Sequence, residues 1–406
     1  MQNKITEDTL IVPDFDFYSC DESLAAVDLL NDALHLTWQD GVEVDVLLIW
    51  LREHSPDNRT FHEYTREQIL QLTDIPDDLS IASAKIRADG FLIVEWLPAT
   101  LTSCYHPGWL RKWCTSTSES LLDLPDRQLL NLPIDKQETW LDGSEVLKGD
   151  DSAFEHWVEK IHIEGYALLK NLPLEDSVIR QLPEKIGKIR PSNFGDIFEV
   201  VNLKEANTNA NTALALAPHT DLSTREYVPG LQFLFCMENS AHGGNSILAD
   251  GFSIAEQLKA ESNEYYDVLS KTSIPFGTKD KNTDHRFIAP VLEHDYKGQL
   301  STIRYTYWLR LPMNEELETT RTFYHALKRF QEIANDPENQ LKFRLNPGQM
   351  MCFDNRRMLH GRTAFDPTSG NRRLRGCYGE REDLESCLRM IARRKRQENV
   401  MGKECL

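Results

Sequence analysis

From residue 213 to residue 378, short apolar runs alternate with Gly and Pro turns, and few folds accommodate that pattern. Residues 231–236 are apolar over the length of one strand, and Gly243-Gly244 turns into a second short run at 246–248. Phe343 and Leu345 lead into Asn346-Pro347-Gly348, residues 350–353 return as a strand, and 372–378 form the last one. Two longer stretches, 252–272 and 313–335, have helical spacing, with Phe330, Ile333 and Ala334 on one face. Strands on either side of helical insertions predict an antiparallel β-sandwich, a jelly roll, in a chain that is α+β and mainly β.

The 406 residues exceed one ordinary core and predict two domains. Residues 33–52 read as a β-hairpin: Leu34, Leu36 and Trp38 alternate, Asp40-Gly41 turns, and Val42, Val44 and Val46 alternate again before Trp50-Leu51-Arg52. The plan repeats at Ile86, Asp89-Gly90, then Leu92, Val94 and Trp96, closing on Trp109-Leu110-Arg111. Residues 1–120 are therefore expected to form a small β-rich domain, 121–150 a linker and 151–406 the larger domain. Within the last, 154–163 and 176–189 are expected helices and 165–169 a buried strand.

Hydrophobic residues at 40% and charged residues at 27% describe a globular chain, and a net charge of −19 repels phosphate backbones. Nucleic acid is thus not an expected partner. The N-terminus lacks the basic start and apolar run of a signal peptide, and no apolar stretch reaches the roughly 18 residues of a membrane span. The eight cysteines are scattered without a C-x-x-C pair, which fits a reducing, cytoplasmic compartment.

Chemistry concentrates in two segments. His219-Thr220-Asp221 puts two ligand types at i and i+2, on one face if the segment is a strand. H-x-D alone is a weak signal, and His162-Ile163-Glu164 is a rival that is set aside because a glycine and a strand entry follow it. The second segment runs Phe353-Asp354-Asn355-Arg356-Arg357-Met358-Leu359-His360-Gly361-Arg362. His360 would complete a facial two-histidine, one-carboxylate triad, which leaves positions on iron(II) for a chelating 2-oxo acid and O2. Twelve residues beyond His360 stands Arg372, in a run with Arg373 and Arg375. A 2-oxo diacid needs a guanidinium at its far carboxylate. Alternation puts Arg372, Leu374, Gly376 and Tyr378 on one face and Arg373 and Arg375 on the other. If Tyr378 points inward, Arg372 is the inward arginine. Ser246, after the Gly-Gly turn, either helps hold the oxo acid or serves the turn alone.

These residues resemble the 2-oxoglutarate oxygenases related to taurine dioxygenase, and more closely the γ-butyrobetaine and trimethyllysine hydroxylases. The likeness extends through the Trp-Leu-Arg motifs, Tyr105-His106-Pro107-Gly108, Tyr64-Thr65-Arg66-Glu67-Gln68, Ser192-Asn193-Phe194-Gly195, Pro229-Gly230-Leu231-Gln232 and Gly243-Gly244-Asn245-Ser246. The resemblance implies a double-stranded β-helix catalytic domain and commonly a homodimer. It implies His219, Asp221 and His360 as Fe(II) ligands, Arg372 as the 2-oxoglutarate anchor, O2 as cosubstrate and stimulation by ascorbate.

Two departures from the family pattern matter. The family's cysteine-rich run, which with the histidine of the Y-H-x-x-W-L-R motif binds zinc, is replaced by Ser55, Asp57 and Thr60, leaving His106 alone, so no structural zinc is expected. The family also cages a trimethylammonium group in aromatic rings. Phe194, Phe198 and Tyr378 match cage positions, but a position usually tyrosine is Asn211, with Tyr305, Tyr307 or Trp308 as candidates to compensate, and Pro191 replaces a residue that is often acidic. The expected reaction is hydroxylation of an unactivated C–H bond of a small cationic substrate, γ-butyrobetaine to L-carnitine foremost. The alternative is hydroxylation, desaturation or other oxidation of a different amine, betaine or phosphonate. A zinc hydrolase built on the same triad leaves Arg372 without a purpose, and a non-catalytic binding protein leaves the whole set without one.

Overall fold

The computed structural model describes residues 10–19, 21–117, 122–134, 139–203, 208–279 and 283–401. The chain forms two compact units, one ending at Leu124 and including the chain from Arg389 onward, the other running from Pro125 to Leu388.

The first unit repeats a motif of three strands and a helix. Leu24–Leu29, Ala33–Trp38 and Glu43–Leu47 make an antiparallel sheet followed by the helix Leu48–Glu53. Ser80–Ile86, Leu92–Leu97 and Leu101–Tyr105 make the second, followed by the helix Pro107–Thr115. Gly41 and Gly90 turn their hairpins with φ of 84° and 87°, a region that side chains with a Cβ rarely enter. The alternating residues Leu34, Leu36, Trp38 and Leu92, Val94, Trp96 are all buried in one core. Each contributes roughly 1.5–3 kcal/mol of transfer free energy. The Trp-Leu-Arg segments lie in the two helices, where Trp50 and Trp109 meet with ring centroids 5.6 Å apart.

Where the sequence departs from the cysteine pattern, the first unit holds a buried polar network. Asp57 accepts from Ser55 Oγ at 2.6 Å and from the backbone N–H groups of Arg59 and Thr60 at 2.9 and 3.0 Å. Ser103 accepts from Trp96 Nε1 at 2.7 Å. His106 caps the helix Pro107–Thr115, its Nδ1 accepting from the N–H groups of Gly108 and Trp109.

The second unit is a sandwich of two sheets. The larger has the order Trp140–Asp142, Tyr166–Lys170, Met350–Asp354, Leu231–Asn239, Arg372–Gly379, Phe198–Val201, antiparallel except for the first pair. The smaller has the order Leu216–His219, Met358–Arg362, Ser246–Asp250, Leu341–Phe343. Leu168, Leu234, Met351, Phe353 and Leu374 from one sheet pack with Leu248, Leu341, Phe343 and Met358 from the other, so the core fills the space between them. The helix Asp151–Glu164 covers the outer face of the larger sheet, with Trp157 edge-on to Phe233. The helices Gly251–Glu261, Asn263–Lys271 and Leu317–Asn335 form a second core with Tyr305.

Several expectations change. Trp140–Asp142 is a strand of the larger unit, within the stretch expected as a linker with short helical pieces, of which Gly143–Lys148 is one. The helix expected over 176–189 is two short pieces, Val178–Gln181 and Pro183–Ile186. The stretch 252–272 is two helices, because Ser262 leaves the helical conformation and its hydroxyl caps the second at Tyr265. No helix among the described residues is long and apolar enough to cross a membrane.

Candidate metal centre

His219 ends its strand, and Asp221 does not share it, contrary to the expectation of one strand face. Asp221 sits in the turn that follows, where Leu222 takes a φ of 54°. The turn is held from several sides. Asn355 Oδ1 accepts from the Asp221 N–H at 3.0 Å, and Asn355 Nδ2 donates to the Asp221 carbonyl at 3.2 Å. The Thr220 hydroxyl donates to the Ile303 carbonyl. Buried Arg304 donates to the carbonyls of Ser223 and Glu226 while pairing with Glu293. His360 comes from the neighbouring strand, its Cα directly opposite that of His219.

The three side chains converge. Asp221 Oδ1 lies 3.3 Å from His219 Nε2 and 3.8 Å from His360 Nε2, and all three donor atoms fall within 4.8 Å of one another. Neighbouring ligands with metal bonds of about 2.1 Å stand about 3 Å apart, so the spacing suits one small divalent ion. His219 Nδ1 donates to the Ala217 carbonyl at 2.8 Å, which fixes the tautomer with a lone pair on Nε2. Burial, reinforced by the adjacent His219, pushes the His360 imidazole down to about 3, so it is a neutral ligand at physiological pH. For Asp221, burial favours the acid. His360, His219 and the Tyr378 hydroxyl more than offset that, and the carboxyl is held well below the usual range.

The second carboxylate oxygen is already engaged. Oδ2 accepts from Gln232 Nε2 at 2.9 Å and from the Tyr378 hydroxyl at 2.8 Å. Those two donors are direct cross-strand partners in the larger sheet. Only Oδ1 faces the histidines, so a bound metal would be offered one oxygen of Asp221.

The triad opens on a cavity of about 340 Å³ lined by Arg372, Ser246, Phe194, Phe198, Asn211 and Tyr378, among others. Alternation along the last strand holds: Arg372, Leu374 and Tyr378 line the cavity. Arg373 and Arg375 instead pair with Glu199. Arg372 is buried, with its Nε lacking a hydrogen-bond partner. Burial, and then the charge of Arg362, lower it to about 9. An anionic group arriving there would find a desolvated guanidinium free to bind it. Ser246 is buried in the same wall, its Cα opposite that of Arg362.

Phe194, Phe198 and Tyr378 form a continuous aromatic wall, with ring centroids 6.4 Å and then 5.1 Å apart. Gly376 makes this possible, since a Cβ there would come to 2.5 Å from the Phe198 ring. Tyr378 therefore belongs both to the wall and to the support of Asp221. Of the candidates to compensate for Asn211, Tyr305 is buried against Phe330, whereas Trp308 lines the cavity with its ring 4.5 Å from that of His219. Gln232, Asn355 and Arg362 carry parts of the site that the sequence reading left without a role. Gln232 carried a signal, as the one polar residue in the apolar run 231–236.

Residues 128–378 match the model of the family described as taurine catabolism dioxygenase TauD, TfdA. The chain is 37% identical over 389 residues to a gamma-butyrobetaine dioxygenase of Pseudomonas sp. strain AK-1, covering 94% of this chain and 100% of that one. It is 28% identical to a trimethyllysine dioxygenase of Meyerozyma guilliermondii, covering 89% and 94%. A solved asparagine oxygenase in complex with Fe(II), 3-hydroxyasparagine and succinate is similar at a TM-score of 0.45 and 16% identity, covering 62% of this chain and 86% of that one.

Proposed function

This chain belongs to the taurine catabolism dioxygenase TauD, TfdA family, and from that premise we propose that His219, Asp221 and His360 hold Fe(II) while Arg372, with Ser246, receives 2-oxoglutarate. The chain is an Fe(II)- and 2-oxoglutarate-dependent dioxygenase that hydroxylates a small cationic substrate. We take γ-butyrobetaine, converted to L-carnitine, as the leading candidate, because the Pseudomonas relative bearing that name is similar over its whole length.

The observation that carries the residue assignment is the placement of two histidines and one carboxylate at one end of a cavity that also holds a buried guanidinium with an unpartnered Nε. When bound, iron, 2-oxoglutarate and O2 supply the oxidising power, with 2-oxoglutarate leaving as succinate and CO2 and one oxygen atom entering the substrate C–H bond. The protein's own residues do the rest. His219 and Asp221 are pre-oriented by Ala217, Gln232 and Tyr378, which lowers the cost of assembling the centre. Arg372 fixes the far end of the diacid through charge-assisted bonds. Phe194, Phe198 and Tyr378 offer ring faces to a quaternary or protonated amine, and their apolar surface limits competing water.

A second reading follows from Asn211, which lines the cavity where the resemblance leads one to expect a tyrosine. It is oxidation of a related amine, betaine or phosphonate with a different headgroup. A homodimeric cytoplasmic enzyme completes the proposal, supported by the family resemblance and by free thiols at Cys104, Cys114, Cys236, Cys352, Cys377 and Cys387. The test is 2-oxoglutarate turnover with γ-butyrobetaine, trimethyllysine, and amine and phosphonate analogues, products being identified by mass. γ-Butyrobetaine is expected to give a product 16 Da heavier at the highest kcat/KM. A higher kcat/KM for an analogue would favour the second reading.

A further inference from the structure

Arg362 lies two residues beyond His360 on the same strand and faces the same cavity. Its Cα stands opposite Leu216 on one side and Ser246 on the other. The side chain is buried, and its two Nη atoms donate to three backbone carbonyls, Ala210 at 3.1 Å, Thr212 at 2.6 Å and Leu214 at 2.9 Å. Those carbonyls belong to the segment whose residues Asn209, Ala210 and Asn211 line the cavity.

The same guanidinium also stands beside Arg372. It lies over the Phe365 ring at 5.0 Å, and Arg372 lies over the same ring at 5.8 Å. Nε of each arginine is buried without a partner, and neither has a carboxylate partner among the described residues. Two buried cations sharing one ring repel each other, and an arriving carboxylate relieves that repulsion for both.

We propose that Arg362 is a positioning residue that couples the two halves of the cavity: its charge strengthens binding of the dianionic cosubstrate beside Arg372, and its grip on the carbonyls of residues 210, 212 and 214 passes that binding to the substrate wall. The proposal rests on the reading of Arg372 as the cosubstrate anchor. Coupling between sites is reciprocal, so a cosubstrate that steadies Arg362 also steadies the wall it holds.

The test uses the full chain loaded with Mn(II), without O2 or substrate. 2-Oxoglutarate affinity is measured by calorimetry, and backbone hydrogen exchange is followed in the peptide spanning residues 208–216. In the parent protein, 2-oxoglutarate should bind and slow exchange in that peptide. Arg362→Met should weaken binding roughly tenfold, a modest coupling, and abolish the protection. Arg362→Lys keeps the charge but not the three-way fork, so it should bind within about threefold of the parent and still lose the protection. If Arg362→Met does not fold, Arg362→Gln, which also removes the charge, takes its place with the same expected loss of affinity. Parental affinity in Arg362→Met overturns the charge role. Exchange in residues 208–216 that ignores 2-oxoglutarate in the parent, or protection retained in Arg362→Lys, overturns the coupling. A failure of the anchor reading is distinct from these: the parent would then bind no 2-oxoglutarate, or Arg372→Met would bind it as well as the parent does.

Discussion

Gln232 and Tyr378 face each other across an antiparallel strand pair and donate to the same oxygen of Asp221. Oδ2 is thereby committed to these two donors, and Oδ1 is the oxygen left toward His219 and His360. Tyr378→Phe should lower metal affinity on the order of tenfold, in the range typical of partners that orient a ligand. Gln232→Leu should do likewise, and the double variant should lose less than the sum of the two, because the second donor is already insufficient alone. Mn(II) titrations of the three proteins check this.

Arg372→Met should raise the KM for 2-oxoglutarate on the order of 100-fold, matching about 3 kcal/mol for a lost charged hydrogen-bond pair. Arg375→Met should leave it near the parental value, since Arg375 does not line the cavity and is already paired with Glu199 and Asp176. Initial rates at varied 2-oxoglutarate separate the two. An effect confined to Arg375 would move the anchor to the other face of the strand.

Asp57 accepts hydrogen bonds from Ser55, Arg59 and Thr60 inside the first unit. Asp57→Ala should cost about 3 kcal/mol by leaving buried donors unsatisfied. Urea unfolding measures the loss. The same network predicts that elemental analysis of the purified protein finds no stoichiometric zinc, and one zinc per chain would contradict it.

His106 is buried and pushed down from 6.5 to about 4 by desolvation. The unfolded chain takes up this proton near its ordinary value while the folded one resists it. The contribution to stability is therefore full above about pH 6.5 and is lost as pH falls toward 4, on the order of 3 kcal/mol at most. His106→Asn, which keeps a helix-capping acceptor, should flatten part of that dependence in urea unfolding between pH 7 and 4.5. His162, also pushed to about 4 mainly by burial, should account for a further part.

The sites read most easily from sequence were those with a period or a spacing. Leu34, Leu36 and Trp38 showed their strand by alternation, and Arg372 was separated from Arg373 and Arg375 by the same rule. Asn355 and Arg362 were not legible because they act on backbone more than a hundred residues away, at Asp221 and at 210–214, and no local pattern encodes a partner at that distance. The turn at Asp221 was missed for a similar reason: Asn355 and Arg304 impose it, whereas H-x-D alone reads equally well as strand. The linker expected over 121–150 failed at Trp140–Asp142, since three residues are too few to show a period.

The most direct test of the central claim is the fate of 18O2 in a reaction with γ-butyrobetaine and 2-oxoglutarate after chelation and reloading of the protein with Fe(II) or Zn(II). The account predicts turnover with iron alone, one labelled atom in succinate and one in the hydroxylated product, and loss of both in His219→Ala. Turnover restored by zinc, or succinate formed without label, would contradict it.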